Sequence, residues 1–192
     1  MYNDVFQTFP VLETERLLLR QLTENDAQAL LVYSKDPELL RFTDYPPNYS
    51  EIIPQAIKMW NTEAYHPDRM LNWCIALKDN NVCIGKIYLF EPKGDDTCGR
   101  RMDIGYEIST KYRNKGYVTE AMNKVVVFCF THMGLKRIQA QIMPENLASI
   151  RICEKSSFKR EGILRNYCEY VHNSTGLRDM VIMSCIPSDI GL

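Results

Sequence analysis

The sequence predicts one mixed α/β domain, and three observations support that fold class. Strand-like and helix-like stretches alternate along the chain. The helix-like stretches are those whose apolar residues recur every three or four positions. The 192 residues suit one hydrophobic core and leave little room for a second. Hydrophobic residues make up 45% and charged residues 24% of the chain, without a repeat or a long linker. We therefore treat residues 1–192 as a single domain.

The first third of the chain predicts one strand followed by two helices. Arg16 to Arg20 (RLLLR) has the apolar character of a strand. Thr23 can cap a helix, because Asp26 follows three residues later and apolar residues then recur at helical spacing. Pro46-Pro47 interrupts the chain, and Ser50 is expected to cap the second helix. The apolar face of that helix consists of Ile53, Ile57 and Trp60.

The middle of the chain predicts three strands. Asn72 to Lys78 and Val82 to Phe90 have strand composition, and the polar turn residues 79–81 between them predict a hairpin. Arg101 to Ile108 is the next strand. A short basic loop, Lys111 to Gly116, leads from this strand into the helix that follows.

The next part of the chain predicts two further helices on either side of a strand. Apolar residues recur at helical steps at Val118, Ala121, Met122, Val125, Cys129 and Met133. Gly134 is expected to end this helix in a left-handed conformation, and Cys129 within it is expected to be a buried, inert thiol. Arg137 to Met143 is a strand, and Asn146 can cap a helix that runs to about Ser156.

The end of the chain predicts a β-hairpin. Its strands lie near Tyr167 to His172 and Met180 to Ile186, and Asn173 to Gly176 forms the turn between them. Glu161 and Arg165, which precede the hairpin, are expected to form a structural ion pair on the surface.

Composition and charge argue against several classes of function. The formal net charge is −1, so a general electrostatic attraction to nucleic acid is not expected. The seven cysteines form no Cys-x-x-Cys pair and the three histidines lie far apart, so we predict reduced thiols and no metal. The first twenty residues argue against a secretory signal, and no apolar run approaches the ~18 residues that span a bilayer. A cytoplasmic protein without a membrane or nucleic-acid partner is therefore predicted.

The segment with the most specific chemistry is Tyr112 to Ala121 (YRNKGYVTEA). It joins a predicted strand to an amphipathic helix, and the start of a helix offers free backbone N–H groups and a positive dipole end to phosphate. Gly116 lets the backbone approach a ligand, and Arg113 and Lys115 add positive charge. The pattern is neither a Walker loop nor Gly-x-Gly-x-x-Gly. These residues predict a generic anion site, with an ordinary surface loop as the plain alternative.

The same segment resembles the coenzyme A loop of the GCN5-related N-acetyltransferase (GNAT) superfamily. That loop reads Arg/Gln-x-x-Gly-x-Gly/Ala, and here it is Arg113-x-x-Gly116-x-Val118. Val118 departs from the pattern at the last position, and its branched side chain leaves less room for the coenzyme to approach the backbone. We therefore expect weaker coenzyme binding rather than none.

Two further segments are similar to the branch that includes the ribosomal-protein N-terminal acetyltransferases. One contains Asn146-x-x-Ser149 followed by EKSSF at 154–158, and the other is the opening ERLLLR at 15–20. The resemblance covers about residues 12–186, which makes the combination far more specific than one motif alone.

The resemblance implies a mixed, mainly antiparallel twisted sheet, flanked by helices and splayed into a V between the strands that end at Ile108 and Met143. Acetyl-CoA, the implied acyl donor, would lie in this V. Backbone groups of residues 106–108 would pair with its pantetheine arm, and the amides of residues 114–119 would hold its pyrophosphate. The implied coenzyme-binding residues are Tyr106, Glu107, Ile108, Arg113, Asn114, Lys115, Gly116, Tyr117, Val118, Thr119, Asn146, Ser149 and Cys153.

Acetyl transfer to an amine also needs a base and an acid. Many GNAT enzymes use a tyrosine as the acid, and here Cys153 occupies its position, so the resemblance implies Ser149 as the donor. Glu107 is the candidate base, directly or through water, and strand alternation places it on one face with Asp103. The plain alternatives are helix-start roles for Ser149 and Asn146 and a solvated glutamate at position 107.

Three functions remain open for this chain. An α-amine with a pKa of ~7.7–8.0 is roughly 10–20% neutral at pH 7, whereas a lysine side chain is neutral only about once in 2,500. This difference favours an N-terminal protein acetyltransferase, because no strong base is evident. An acetyltransferase for a small amine and a non-catalytic acyl-CoA sensor are the alternatives. The partners expected are acetyl-CoA and an amine acceptor, with the chain a monomer or a homodimer.

Overall fold

The computed structural model describes residues 2–95, 97–169 and 176–192, and within them eight strands form one sheet. The strands are β1 (Leu12–Glu13), β2 (Leu17–Arg20), β3 (Leu71–Leu77), β4 (Cys83–Lys93), β5 (Arg101–Ile108), β6 (Arg137–Ile142), β7 (Lys159–Glu169) and β8 (Leu177–Cys185). The helices are α1 (Ala27–Ser34), α2 (Pro37–Leu40), α3 (Tyr49–Asn61), α4 (Tyr117–Thr131) and α5 (Leu147–Lys155). The strand order is β1-β2-β3-β4-β5-β6-β8-β7, and only β5 and β6 pair in parallel. The mainly antiparallel mixed sheet is thus confirmed.

The sheet splits between β5 and β6. These strands pair only through residues 101–103 and 137–139, although β5 continues to Ile108. On its other side β5 stays paired with β4 as far as Ile108. The second edge of residues 104–108 therefore faces the gap between the two strands, which is the predicted V.

A buried carboxylate lies where the two strands part. Asp103 is only 1% exposed, and its Oδ2 atom accepts hydrogen bonds from Nε2 of Gln141 at 2.7 Å and Nε2 of Gln139 at 3.2 Å. Burial raises the pKa of Asp103, although these two hydrogen bonds act in the opposite direction. The last paired residue of β5 is therefore tied through its side chain to β6.

Apolar layers cover both faces of the sheet. On one face α4 and α5 pack in the main core, where the Trp73 and Phe128 rings meet edge-on with centroids 6.0 Å apart. Cys129 is fully buried there, and burial raises the pKa of its thiol, as expected for an inert side chain. On the other face α1 and α3 pack against Cys74 and Ala76. The two layers hold the sheet between helices.

Several predicted boundaries needed correction. Ser50 does not cap α3, because the Tyr49 N–H already bonds to the Pro46 carbonyl at 2.8 Å and the helix begins one residue earlier. Helix α2 was not predicted, since its four residues are too few to show a period. Other predicted features hold: the Asp26 carboxylate accepts from the Thr23 N–H at 2.8 Å, and Gly134 has a φ of 69°.

The C-terminal hairpin differs most from the prediction. Its first strand, β7, begins at Lys159 rather than near Tyr167, because it pairs with β8 across two irregularities in register. Glu161 bonds to Arg137 at 3.0 Å, so the predicted partner Arg165 was wrong. The predicted turn at 173–176 falls largely outside the described residues. No helix in the described part of the chain is long and apolar enough to cross a membrane.

Candidate functional site

The V opens into a cleft of about 480 Å³. Its walls come from the end of β5, the loop before α4, the first turns of α4 and α5, and the segment around α2. Every predicted coenzyme-binding residue except Lys115 and Cys153 contributes to its lining: Tyr106, Glu107, Ile108, Arg113, Asn114, Gly116, Tyr117, Val118, Thr119, Asn146 and Ser149. The structure therefore brings two distant segments of the sequence to one cavity.

The loop before α4 has the backbone shape of an anion site. Asn114 and Gly116 both adopt left-handed conformations, with φ values of 59° and 80°. Gly116 is the N-cap of α4, and the first bond of the helix runs from the Glu120 N–H to the Gly116 carbonyl at 3.0 Å. The amides of residues 117–119 precede that bond and have no partner within the helix. Together with the helix dipole, they favour a phosphate group at this end of the cleft.

The anion-binding loop is braced by a residue that the sequence interpretation did not select. Arg16 donates from Nη1 to the Lys115 carbonyl at 2.9 Å and from Nε to Glu120 at 2.7 Å. Its guanidinium also lies 4.6 Å from the centroid of the Tyr117 ring. Thr14 adds a hydrogen bond to Glu120 at 2.6 Å. The turn between β1 and β2 thus fixes the start of α4.

Charge at the brace is consistent with an ion pair. Burial alone would raise the pKa of Glu120, but hydrogen bonds from Thr14 and Arg16 outweigh it and lower that pKa. The Lys115 side chain is directed elsewhere, with its Nζ atom 5.5 Å from the centroid of the Tyr112 ring. Lys115 therefore contributes its backbone carbonyl to the brace.

Glu107 points to the face of the sheet that carries α3, and there it pairs with a buried lysine. Its Oε1 atom lies 3.2 Å from Nζ of Lys86, and both side chains are almost fully buried. Burial alone would lower the pKa of Lys86, but the Glu107 carboxylate and nearby tyrosines outweigh it and raise that pKa. The candidate base is therefore a member of a buried ion pair and not the solvated glutamate of the plain alternative.

Aromatic rings surround the ammonium group of Lys86. Nζ lies 4.2 Å from the centroid of Trp60, 5.2 Å from Tyr88, 5.8 Å from Tyr45 and 5.9 Å from Tyr49. Tyr45 and Tyr49 stack on each other at 3.7 Å. We call these four rings the aromatic cage. The sequence interpretation missed it, because its members come from three separate segments of the chain.

The start of α5 forms the wall opposite β5. The Asn146 side chain accepts a hydrogen bond from the Ser149 N–H at 3.2 Å, so the N-cap role of Asn146 is present in the structure. Ser149 and Tyr106 both line the cleft, and the pKa of Tyr106 is raised by burial and by Cys153 while Ser149 lowers it. The coenzyme contacts predicted for these residues remain predictions.

Cys153 does not reach the cleft lining within the described residues. It is fully buried in the main core, and burial raises the pKa of its thiol to about 12. Val118, by contrast, both lines the cleft and packs in the main core at 5% exposure. The weaker coenzyme binding expected from its branched side chain stays a prediction.

Helix α2 and the residues after it close the cleft on the remaining side. Leu39 and Phe42 supply apolar surface, and Glu38 supplies a carboxylate. The wall is anchored to the segment after β5 because the Thr110 hydroxyl donates to the Asp36 carboxylate, and this bond is the main cause of a lowered pKa of Asp36. This side of the cavity had no signal in the sequence, since α2 is a single short turn.

One group of potential metal ligands occurs in the described ranges, and it lies outside the cleft. Asp26, Cys74 and Cys83 are buried, with their ligand atoms within 4.8 Å of one another. Arg20 already binds both oxygens of Asp26, at 2.7 Å and 2.9 Å. A hydrogen bond with Cys83 and burial raise the pKa of the Cys74 thiol. A paired carboxylate and a protonated thiol are poor ligands for a metal ion.

Comparison with known proteins identifies relatives across most of the chain. A family model described as an acetyltransferase (GNAT) domain matches residues 16–159. An uncharacterized N-acetyltransferase of Bacillus subtilis, YoaA, is 38% identical over 83% of this chain and 88% of its own. An uncharacterized N-acetyltransferase of Bacillus licheniformis, p20, is 31% identical over 81% of this chain and 86% of its own.

A similar fold occurs in a solved structure. RimJ of Mycobacterium smegmatis, in complex with CoA-disulfide, superposes with a TM-score of 0.80 at 23% identity, over 92% of this chain and 84% of its own. At this identity the likeness concerns the fold alone.

Proposed function

The chain belongs to the GNAT family of acetyltransferases and is an acetyl-CoA-dependent N-acetyltransferase, and from this premise we propose that it acetylates the α-amine of a protein N-terminus. The observation that carries the proposal is the charge of the acceptor side. Glu107 lines the cleft and is already paired with Lys86 on the neighbouring strand, so its negative charge is balanced by one positive group. Such a centre suits an acceptor with a single amine better than a polyamine, whose several cations would favour an acidic pocket.

The proposed position of acetyl-CoA follows the shape of the cleft. The amides of residues 114–119 and the Arg113 guanidinium would hold the pyrophosphate. The free edge of residues 106–108 would pair with the pantetheine arm as a neighbouring strand does. Asn146 would contact the arm from the opposite wall. This placement puts the thioester near Ser149 and Glu107.

The proposed reaction is a direct attack of the acceptor amine on the thioester. The amine nitrogen forms a bond to the carbonyl carbon, and the bond from that carbon to sulfur breaks. Glu107 takes one proton from nitrogen, directly or through water, and Ser149 donates one proton to sulfur. Free N–H groups on the open edge of β5 would stabilise the oxyanion. An α-amine is suited to this site because roughly 10–20% of it is already neutral at pH 7.

RimJ, the solved relative named above, supports the α-amine proposal only through its fold. That protein was solved in complex with CoA-disulfide, which is in keeping with coenzyme binding in a cleft of this shape. The nature of the acceptor in the present chain therefore depends on the site itself and on a direct assay.

The test is to follow thiol release from acetyl-CoA with peptides that begin with Ala, Ser or Met, with polyamines and with amino sugars. We expect release with peptides, and its loss when their amino end is blocked. Glu107→Gln should lower kcat/KM by about 100-fold and retain coenzyme A binding. Release only with small amines would contradict the proposed acceptor. Coenzyme binding without turnover of any acceptor would favour a sensor.

A further inference from the structure

We propose that Lys86 is a positioning residue, which holds the Glu107 carboxylate in one orientation and keeps it ionised for its reaction with the acceptor amine. This inference rests on the proposed function, because Glu107 is the base of that reaction. It concerns a residue that lies on the neighbouring strand and is not itself among the residues that line the cleft. Its role can nevertheless be measured separately from turnover.

The two carboxylate oxygens of Glu107 have different surroundings. Oε1 is bound by Lys86 at 3.2 Å. Oε2 is buried, and the Tyr45 hydroxyl interacts with the carboxylate: burial and then Glu107 raise the pKa of Tyr45. Glu107 also belongs to the cleft lining, so the orientation of its carboxylate bears on the acceptor side of the proposed reaction.

The ammonium of Lys86 is held in place from several sides. Lys86 and Glu107 are directly opposite each other on the antiparallel strands β4 and β5. The aromatic cage encloses the ammonium, and Nζ also donates to the Tyr49 hydroxyl at 3.4 Å. The Tyr88 ring covers Gly105, where an added Cβ would lie 2.7 Å from the ring. A cation fixed in this way restricts the Glu107 side chain to one orientation.

Among the described residues, no second carboxylate forms an ion pair with Lys86 and no second cation forms one with Glu107. The titratable groups that face it are Lys86 and Tyr88 from β4, Tyr33 from α1, Tyr49 from α3 and Tyr45 from the preceding loop. Burial and then the negative charge of Glu107 raise the pKa of Tyr33 and of Tyr45, so both stay neutral. Glu38 of α2 lies in the cleft wall, and Asp103 lies four residues back along β5. Lys86 is therefore the counter-charge of Glu107.

Removing that counter-charge has a predictable effect. A carboxylate buried without a cation takes up a proton more readily, and a protonated carboxyl cannot accept the proton of the acceptor amine. In Lys86→Met, which keeps the length of the side chain, the acidic limb of the kcat/KM profile should move upward by about one pH unit or more. The affinity for coenzyme A should stay within about 2-fold, because Lys86 is remote from the phosphate-binding loop.

The experiment compares four proteins: wild type, Lys86→Met, Glu107→Gln and the double variant. A lysine-to-methionine change at exposed Lys78, which pairs with Glu13 at 3.0 Å, is the matched control and should leave the profile unchanged. In the Glu107→Gln background the Lys86→Met change should cause no further shift, since the group that titrates is gone. Carbon-13 NMR of the Glu107 carboxyl, assigned with Glu107→Gln, should detect its protonation at higher pH in Lys86→Met than in wild type.

The outcomes separate the two proposals. If wild type turns over no amine, the proposed function fails, while the NMR comparison still decides the role of Lys86. If Lys86→Met does not fold, the double variant should recover the fold, because it removes both buried charges together. An unchanged acidic limb and an unchanged Glu107 titration in Lys86→Met would overturn the inference. Failure of the double variant to fold would mean that Lys86 is needed for packing, and it would contradict the positioning role.

Discussion

Glu107 and Asp103 lie on the same face of β5, yet their carboxylates have different partners. Lys86 supplies a full positive charge to Glu107 at 3.2 Å. Asp103 receives only amide hydrogens, from Gln139 and Gln141, and its Oδ1 atom has no partner among the described residues. Burial therefore raises the pKa of Asp103. One strand thus carries a neutralised carboxylate at the cleft and an uncompensated one where the sheet splits.

Asp103 gives a prediction about the pH dependence of stability. Because its pKa is higher in the folded than in the unfolded state, the fold favours the protonated form, and stability falls as pH rises through this range. Asp103→Asn removes the buried charge, so we expect Tm at pH 7 to rise by about 2–4 °C. The gain should shrink as pH falls, because the wild-type side chain then becomes protonated too.

Thermal unfolding followed by circular dichroism between pH 4 and pH 8 measures this effect. Asp79→Asn, at an exposed position of the β3–β4 turn, is the control and should change Tm little at either end. An Asp103→Asn gain of equal size at pH 4 and pH 7 would contradict the charge explanation.

At the scale of elements, the start of α4 is the proposed anion site, and another element holds it in shape. The left-handed Gly116 and the unpaired amides are local properties of the loop and helix. Their orientation depends on Arg16 and Thr14, about a hundred residues earlier in the chain, which bond to Glu120 and Lys115. The short β1–β2 segment therefore acts on the cleft without touching it.

This arrangement predicts that Arg16→Met weakens coenzyme A binding. The change removes the bonds to Glu120 and to the Lys115 carbonyl but leaves the loop sequence intact. We expect Kd to rise roughly 5-fold, since a partly exposed pair contributes about 1 kcal/mol. Isothermal titration calorimetry measures the affinity, with Lys93→Met, which removes an exposed cation paired with Glu91, as the control for loss of a surface cation. An unchanged Kd would mean that the loop keeps its shape without the brace.

At the scale of the whole molecule, the cleft exists because β5 and β6 pair over only three residues each. Beyond Asp103 the sheet divides, and the gap is walled by α5 on one side and by α2 on another. The residues that line the cleft are thus spread over both halves of the sheet. A molecule that bridges the gap should stabilise the entire fold.

Coenzyme A should therefore raise the melting temperature of the protein. At a concentration 100 times Kd, binding adds about 2.7 kcal/mol, which corresponds to a rise in Tm of roughly 5–10 °C for a chain of this size. Gly116→Ala should lower Tm both with and without coenzyme A, because a φ of 80° costs an alanine about 1 kcal/mol in the folded state. Differential scanning calorimetry with increasing coenzyme A measures the effect. A Tm independent of coenzyme concentration would contradict the proposed cleft.

Local features of this protein were determined by the sequence itself. The α4 period, the Gly116 start, the Asn146 cap and the bounds of β5 depend on residues within a few positions of one another, so short-range sterics and hydrogen bonding decide them. The resemblance to the coenzyme loop lay in the same short segments. The sequence could therefore predict the segments around the starts of α4 and α5, which form two walls of the cleft.

Only the tertiary structure decided how the acceptor side is charged. Lys86 was an ordinary strand lysine in the sequence, and its cage joins residues from positions 45 to 88. The pairing of Lys86 with Glu107 depends on strand register, and the brace by Arg16 depends on the packing of β2 beside α4. Such long-range contacts follow from burial of the whole chain around one sheet. No local pattern of residues predicts these contacts.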